Sequence, residues 1–161
     1  MMRLDQFEIP ADITMTPPQP YTVQIVEWTE KSEALTRIRT EVFVEEQRVP
    51  AEIVMDELDV NGIHAAAFDS TGNVIGTGRL IMDRPVPRIG RMVVAKSCRG
   101  TGIGAKILEV LCSAAKSYGY DNVKLHSQTH ASPFYFKRGF LSHGSEFFEA
   151  GIPHQEMRKH I

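Results

Sequence analysis

The stretch that decides the fold is "VVAKSCRGTGIGAKILEVL", Val93 to Leu111. An apolar run with strand character meets a helical pattern through a loop that holds Gly100, Gly102 and Gly104. Glycine in an ordered loop costs backbone entropy, so its use here needs a reason. Helix N-termini favour anions, and glycines let an anion approach the backbone without meeting a Cβ atom. The pattern therefore predicts a phosphate-binding loop, with a purely structural turn as the alternative.

Two common nucleotide-binding templates do not fit this loop. A dinucleotide fingerprint requires G-x-G-x-x-G, whereas the glycines here are spaced G-x-G-x-G. A Walker loop requires lysine directly after its last glycine, whereas Ala105 separates Gly104 from Lys106. With Arg99 beside it to add a charge-assisted contact, the loop favours a pyrophosphate-bearing ligand of another kind.

The segments around the loop alternate between strand and helix patterns. Apolar runs predict two closing strands and, before them, strands at 21–28, 63–69, 73–83, 88–95 and 122–128. Helical spacing predicts helices over 31–47, with Thr29 as a cap, and over 103–118; Ser132 as cap with Pro133 predicts a short third helix. The helix at 103–118 joins two strands that are parallel. We therefore expect an α/β fold whose mixed, mostly antiparallel sheet has one parallel pair and helices on both faces.

The composition limits the classes of function. The chain has 161 residues, of which 42% are hydrophobic, enough for the core of one domain. Lysine and arginine number 18 against 20 acidic residues, so the basic excess typical of nucleic-acid binding is missing. Cys98 and Cys112 are too few for a disulfide framework. With neither a signal-peptide pattern nor a membrane-length apolar run, we expect a cytoplasmic protein with no nucleic-acid or membrane partner.

Three prolines near the N-terminus define the domain organisation. Pro17, Pro18 and Pro20 favour extended backbone and oppose a helix. We interpret residues 1–20 as an extension packed loosely on the domain and residues 21–161 as one domain. The six histidines are scattered and neither cysteine has a partner at ligand spacing, so no metal site is predicted.

Two segments, "VVAKSCRGTGIGAKIL" and "QTHASPFYFKRGF", match a pair of motifs at the separation that one family uses. The first resembles Arg/Gln-x-x-Gly-x-Gly/Ala, the acetyl-CoA motif of the GNAT superfamily of N-acetyltransferases. The second resembles Asn-x-x-Ala-x-x-(Phe/Leu)-Tyr-x-x-x-Gly-Phe of the same superfamily, through Ala131, Phe134, Tyr135, Gly139 and Phe140. "VFVEEQRVPAE", "DELD" and "GIPHQEM" further resemble an ElaA-like or YjcF-like bacterial subgroup. The resemblance covers residues 21–161.

The resemblance implies a site for acetyl-CoA, the cosubstrate of that superfamily. The two parallel strands would splay near Val94, with the pantetheine arm paired to the backbone of Met92, Val93 and Val94. Gln128 stands where the family often has an asparagine that contacts the cofactor. The pyrophosphate would be held by residues 99–104, namely Arg99, Gly100, Thr101, Gly102, Ile103 and Gly104.

The implied chemistry is the attack of an amine on the thioester carbonyl of acetyl-CoA. A lysine-like amine has a pKa of about 10.4, so a base assists the reaction near neutral pH. Tyr135 is predicted as the acid that protonates the departing thiolate, and a backbone N–H near Val94 would polarise the carbonyl. Glu46 is the first candidate for the base and His126 the second, each with a structural role as the alternative.

Three functions follow from these patterns. The preferred one is an acyl-CoA-dependent N-acyltransferase that passes acetyl to a small-molecule or peptide amine by direct attack in a ternary complex. The second is a non-catalytic acyl-CoA-binding sensor, and the third is an α/β interaction domain whose glycine loop is only a turn. The identity of the acceptor and the length of the acyl chain stay open, as does a homodimer.

Overall fold

The structure, a computed structural model, describes residues 20–161. The extension predicted for residues 1–20 therefore lies outside the described residues, apart from Pro20. Strands form at β1 (Tyr21–Val26), β2 (Ile63–Asp69), β3 (Val74–Ile81), β4 (Arg88–Val94), β5 (Asn122–Gln128), β6 (Leu141–Ser142), β7 (Phe147–Glu149) and β8 (Ile152–His160). The α-helices are α1 (Trp28–Arg39), α2 (Ala51–Val54), α3 (Ile103–Ser117) and α4 (Ser132–Phe136). A π-helical turn, Thr40–Glu46, continues α1, and short 3-10 turns occur at Glu57–Asp59, Lys96–Cys98 and Thr129–Ala131.

All eight strands belong to one sheet. Its order is β1-β2-β3-β4-β5-β8-β6, and β7 pairs with β8 beside that path. In the described residues the pair β4–β5 is parallel and every other pair is antiparallel. Helix α3 makes the crossover between these two parallel strands. The predicted fold class, a mostly antiparallel sheet with one parallel pair, is confirmed.

Helices cover both faces of the sheet, and β3 shows how its sequence allows this. Gly78 faces α3, where a Cβ atom would lie 2.6 Å from the Met92 sulfur and 2.9 Å from the Ile107 side chain. The side chain of Arg79, next along the strand, points to the opposite face, where it meets Asp59 together with Arg39 of α1. Glycine in β3 therefore lets α3 pack close to the sheet, while α1 covers the other side.

The first helix differs from the prediction for 31–47 at both ends. It begins at Trp28 with Glu27 as its N-cap residue, so Thr29 lies inside the helix and does not cap it. After Arg39 the helix widens into the π-helical turn, which buries the adjacent residues Val42 and Phe43. A π-helical turn differs from an α-helix in its i→i+5 hydrogen bonds, which the spacing of apolar residues does not reveal, so the sequence pattern did not locate this change.

Two other regions hold more structure than their sequence indicated. The segment after the first helix, expected to be a polar connection, contains α2 and the 3-10 turn at Glu57–Asp59. The end of the chain forms three strands instead of two, because β6 and β7 are only two and three residues long. Ser132 is the first residue of α4 and not its cap. Such short elements carry too little periodicity to be read from sequence.

A buried ion network fixes the segment between α1 and β2. Arg39 donates to both carboxylate oxygens of Asp59, at 3.0 and 2.9 Å, and Arg79 donates to one of them at 2.8 Å. The side chains of all three residues are at most 2% exposed. His64, also buried, donates from Nε2 to the Asp59 carbonyl at 2.8 Å, and burial lowers its pKa, so it stays neutral. Its role is structural.

The network extends outward through Asp56 to β4. Asp56 accepts from Arg79 at 2.7 Å and from Arg91 at 3.0 Å. Burial acts to raise the pKa of Asp56, but the hydrogen bond and charge of Arg79 outweigh it and lower that pKa. Burial also lowers the pKa of Arg91 to about 10, which leaves the guanidinium charged at neutral pH. Arg91 donates further to the Val54 carbonyl at 2.7 Å, so α2 is tied directly to β4.

We predict that Asp59→Asn lowers the free energy of unfolding by about 3–5 kcal/mol, because it leaves Arg39 buried without a counter-charge and Arg79 with Asp56 alone. Urea unfolding at neutral pH measures this loss. Glu41→Gln is the matched control, since it removes a carboxylate from an exposed pair with Arg37 and should cost less than about 1 kcal/mol. Equal losses in the two variants would contradict a central role for the network.

Candidate functional site

The loop between β4 and α3 presents unpaired backbone donors. Gly100 and Gly102 have φ angles of +78° and +90°, in the left-handed region that glycine adopts readily. The first intrahelical hydrogen bond runs from the Lys106 amide to the Gly102 carbonyl at 3.0 Å. The amides of residues 103–105 precede that bond and have no acceptor within the helix. This geometry suits an anion bound at the start of α3.

A small cavity of about 20 Å³ adjoins the loop and brings in a residue that the sequence analysis missed. Arg138, just after α4, lines this cavity together with the glycine loop, Val94 and Phe134. Its guanidinium lies 3.9 Å from the Phe134 ring centroid, and Nη1 donates to the Phe134 carbonyl at 3.0 Å. The signal available in the sequence was its position directly before Gly139 in the second motif.

Arg99 and Glu46, which the sequence analysis placed in separate roles, form one ion pair. The two terminal nitrogens of Arg99 donate to the two oxygens of Glu46 at 2.6 and 2.7 Å. Arg99 Nε donates to the Val94 carbonyl at 2.9 Å, and the arginine side chain is 3% exposed. The pair ties the π-helical turn to the glycine loop. Both oxygens of Glu46 are already acceptors in this arrangement, and so is the Val94 carbonyl.

The parallel strands separate soon after they pair. Within residues 20–161 their register joins Arg88 to Lys124 and Ile89 to Leu125, and no further pair follows. Beyond that point β4 continues along β3 to Val94, and β5 continues along β8 to Gln128. A register shift accompanies the positive φ angle of +54° at Arg91. The edge of β4 that carries Met92, Val93 and Val94 therefore faces a gap.

A cavity of about 110 Å³ occupies this gap on the side of α1 and α2. It brings together four of the predicted site residues, Met92, His126, Gln128 and Tyr135. Arg99, Gly100, Gly102, Ile103, Gly104 and Val94 line the small cavity at the glycine loop instead. Thr101 braces that loop, since its hydroxyl donates to the Cys98 carbonyl at 2.7 Å. The site thus has an anion-binding end and a cavity end, joined along β4.

Two buried glutamines meet beside the larger cavity. Gln128 Nε2 donates to Gln47 Oε1 at 3.0 Å, and both side chains are more than nine-tenths buried. Gln47 Nε2 and Gln128 Oε1 have no hydrogen-bond partner among residues 20–161. A buried polar atom without a partner costs about 1–3 kcal/mol, so one free donor and one free acceptor here suit a polar ligand. Gln47 was missed in the sequence, where it ends the run "VFVEEQ".

His126 is held by a carboxylate on a neighbouring strand. Its Nδ1 lies 3.0 Å from Glu149 Oε1, and Phe147 packs edge-on at 5.0 Å between ring centroids. The hydrogen bond from His126 lowers the pKa of Glu149 despite partial burial. With the proton on Nδ1, the other ring nitrogen, Nε2, is left able to accept a proton. His154 also lines the cavity, and its Nδ1 donates to the Ile152 carbonyl at 2.7 Å.

Tyr135 combines a packed ring with a place in the cavity wall. The side chain is 1% exposed, and its ring makes edge contacts with Phe134 and Phe140 at centroid distances of 5.0 and 5.9 Å. This packing fixes the ring beside Gln128 and Met92 in the same cavity wall. A fixed ring limits where the hydroxyl can reach.

Two other kinds of feature, a metal site and a membrane span, are absent from the part of the chain that the structure describes. Residues 20–161 contain no group of three or more histidine, cysteine, aspartate or glutamate side chains placed to hold a metal ion. In the same range, no helix has both the length and the apolar character needed to cross a bilayer.

The fold and this site define an acetyltransferase. The sequence matches the family described as the acetyltransferase (GNAT) domain over residues 27–161. The chain therefore belongs to the GNAT acetyltransferase family and is an N-acetyltransferase, as the two motifs indicated.

Within that family the chain is YjcF-like, as predicted, and it shares the fold of ElaA. It is 41% identical over 123 residues to the uncharacterized N-acetyltransferase YjcF of Bacillus subtilis, covering 76% of this chain and 87% of YjcF. An acyl-CoA N-acyltransferase from Pseudomonas aeruginosa has 30% identity and a TM-score of 0.78, covering 87% of this chain and 99% of that one. Escherichia coli ElaA shares the fold at 23% identity and a TM-score of 0.77, covering 87% and 99% of the two chains.

We predict that Glu46→Gln lowers the free energy of unfolding by about 1–3 kcal/mol, because the Arg99 guanidinium loses its buried counter-charge. Urea unfolding measures the change. Glu45→Gln is a matched control with the same change of charge at an exposed neighbouring position, where the effect should stay within about 0.5 kcal/mol. If Glu46→Gln were as harmless as Glu45→Gln, the ion pair would not brace the loop.

Proposed function

We propose that this protein transfers an acetyl group from acetyl-CoA to an amine by direct attack within a ternary complex. The observation that carries the proposal is the gap between β4 and β5, which joins an anion-binding helix terminus to a cavity with proton-transfer groups. Membership of the acetyltransferase family supports acetyl-CoA as the acyl donor. A small-molecule or peptide amine is the proposed acceptor.

The described residues fit acetyl-CoA at several points along the gap. The amides of Ile103, Gly104 and the next residue would hold the pyrophosphate, with positive charge from Arg138 nearby. The open edge of β4 at Met92–Val94 would pair with the pantetheine arm, and the free amide atoms of Gln47 and Gln128 would meet its polar groups. Acetyl-CoA supplies an activated acetyl thioester when bound. Arg99 acts as a positioning residue, since Glu46 and the Val94 carbonyl already engage it.

His126 is the proposed base, and Glu149 orients it. The Nδ1 proton stays directed at Glu149, and Nε2 takes the proton that the amine loses as its nitrogen bonds to the acetyl carbon. Tyr135 gives its hydroxyl proton to the sulfur as the carbon–sulfur bond breaks. Glu46, the first candidate from sequence, is less suited to be the base because both of its oxygens accept hydrogen bonds from Arg99.

A non-catalytic acyl-CoA sensor would need the same glycine loop but no proton-transfer groups. The His126–Glu149 pair beside the cavity favours the enzyme. The turn-only alternative does not explain the amide atoms of the two glutamines that have no hydrogen-bond partner among residues 20–161.

We predict that acetyl-CoA raises the melting temperature of the wild type and not of Gly102→Glu, because a side chain and a negative charge at the loop oppose the pyrophosphate. A ligand at about 100 times its Kd stabilises by roughly 2.7 kcal/mol. Gly72→Glu is the matched control: Gly72 has a similar positive φ but lies in the β2–β3 hairpin, so the shift should persist. A wild type that does not respond would remove the basis of the proposal.

We predict that His126→Gln lowers kcat about 100-fold and Tyr135→Phe roughly tenfold, while the acetyl-CoA melting shift is unchanged in both. Each variant loses a proton-transfer group and keeps the cofactor contacts. Thiol release with a panel of primary amines measures kcat. Tyr118→Phe, on an exposed tyrosine at the end of α3, controls for loss of a hydroxyl. Unchanged kcat in His126→Gln would reassign the base.

A further inference from the structure

The larger cavity extends along β4 away from the transfer chemistry. Met92 and Gln128 line one end, Gly90 and His126 follow, and Arg88 lies at the start of the strand. Met92 lies four positions after Arg88, a distance of about 13 Å along a strand. An occupant that spans the cavity is therefore an elongated molecule with two different ends.

Arg88 differs from the other arginines of the cavity wall. Arg79 and Arg91 are bound to Asp56, at 2.7 and 3.0 Å. The side chain of Arg88 makes no hydrogen bond or ion pair with any of residues 20–161. Its charge is felt at Glu149, where it adds to the lowering of the pKa that His126 mainly causes. A guanidinium without a carboxylate thus lines the cavity.

A second positive charge lies at the same end. Lys124 is the register partner of Arg88 in the parallel pair, and directly paired residues direct their side chains to the same face of a sheet. Glu149 is the acidic group of the cavity wall, and His126 already holds it at 3.0 Å. The Arg88 end therefore favours an anion over a cation.

Gly90 keeps the passage between the two ends open. A Cβ atom built on Gly90 would meet nothing within 4 Å in the described part of the chain, and its φ angle is not one that requires glycine. Glycine weakens a strand, because it has no side chain to pack and loses more backbone entropy on folding. What Gly90 provides at this position is free space in the cavity. Ile53, Ile81 and Val54 border that space and make it apolar.

We infer that the acceptor is an amine that carries a carboxylate at the far end of an apolar spacer. Arg88 binds the carboxylate, the spacer crosses over Gly90, and the amine lies near His126 and Gln128. A guanidinium offers a carboxylate two parallel N–H donors, which fixes the orientation as well as the charge. The inference rests on the proposed function only where it places the amine end; the carboxylate end does not depend on that function.

Binding tests the inference without turnover. In the presence of CoA, 6-acetamidohexanoate and the neutral N-hexylacetamide are titrated by calorimetry. The wild type should bind the acid at least about tenfold more tightly, because only the acid pairs with Arg88. Arg88→Gln should abolish that preference. Arg37→Gln, at a half-exposed arginine of α1, should keep it. No measurable binding of the acid, equal binding of the two compounds, or a preference that survives Arg88→Gln would overturn the inference.

Gly90→Val and a kinetic comparison separate this inference from the proposed function. A valine should weaken binding of both compounds by filling the cavity, and the acetyl-CoA melting shift should remain.

In turnover with 6-aminohexanoate and hexylamine, Arg88→Gln should raise KM for the acid alone and leave kcat nearly unchanged. Arg88-dependent binding without acetyl transfer would refute the proposed function and support the carboxylate site. Transfer to both amines with equal kcat/KM would overturn the carboxylate site alone.

Discussion

One carboxylate, that of Asp59, holds the wall of the site in place. It accepts from Arg39 on the first helix and from Arg79 in the centre of the sheet, all three buried. The buried charges are offset by one another, so the connecting segment is held where Asp59 meets both arginines. Through Asp56 and Arg91 the same network reaches β4 and anchors α2 over the cavity. The shape of the 110 Å³ cavity, which Arg79 and Arg91 help to line, therefore depends on this buried ion network.

The glycine loop and the wall of the 110 Å³ cavity are joined by a second ion pair. Arg99, within the acetyl-CoA motif, is engaged by Glu46 from the π-helical turn that also carries Phe43 into the cavity wall. A change at either residue alters both the loop and the cavity. In this chain the side chain of Arg99 therefore supports the glycine loop, because Glu46 and the Val94 carbonyl accept its hydrogen bonds.

Much of this architecture could be predicted from the sequence because its causes are local. Alternating apolar residues, the glycine loop and the spacing around Tyr135 each act over a few neighbouring positions. The pairing of Glu46 with Arg99 joins residues 53 positions apart, and that of Gln47 with Gln128 joins residues 81 apart. No local pattern encodes such contacts.

The short ladder between β4 and β5 divides the sheet mechanically. Within residues 20–161, two residue pairs connect the half of the sheet that contains β1–β4 to the half that contains β5–β8. These pairs are Arg88 with Lys124 and Ile89 with Leu125. Little backbone hydrogen bonding crosses this boundary between β4 and β5, and helix α3 packs across the boundary on one face of the sheet. A molecule bound between β4 and β5, in contact with both strand edges, takes the place of the interstrand hydrogen bonds that are missing there. Binding of such a molecule also holds the two halves of the sheet together. The whole sheet therefore becomes more rigid as the fraction of protein with the molecule bound rises.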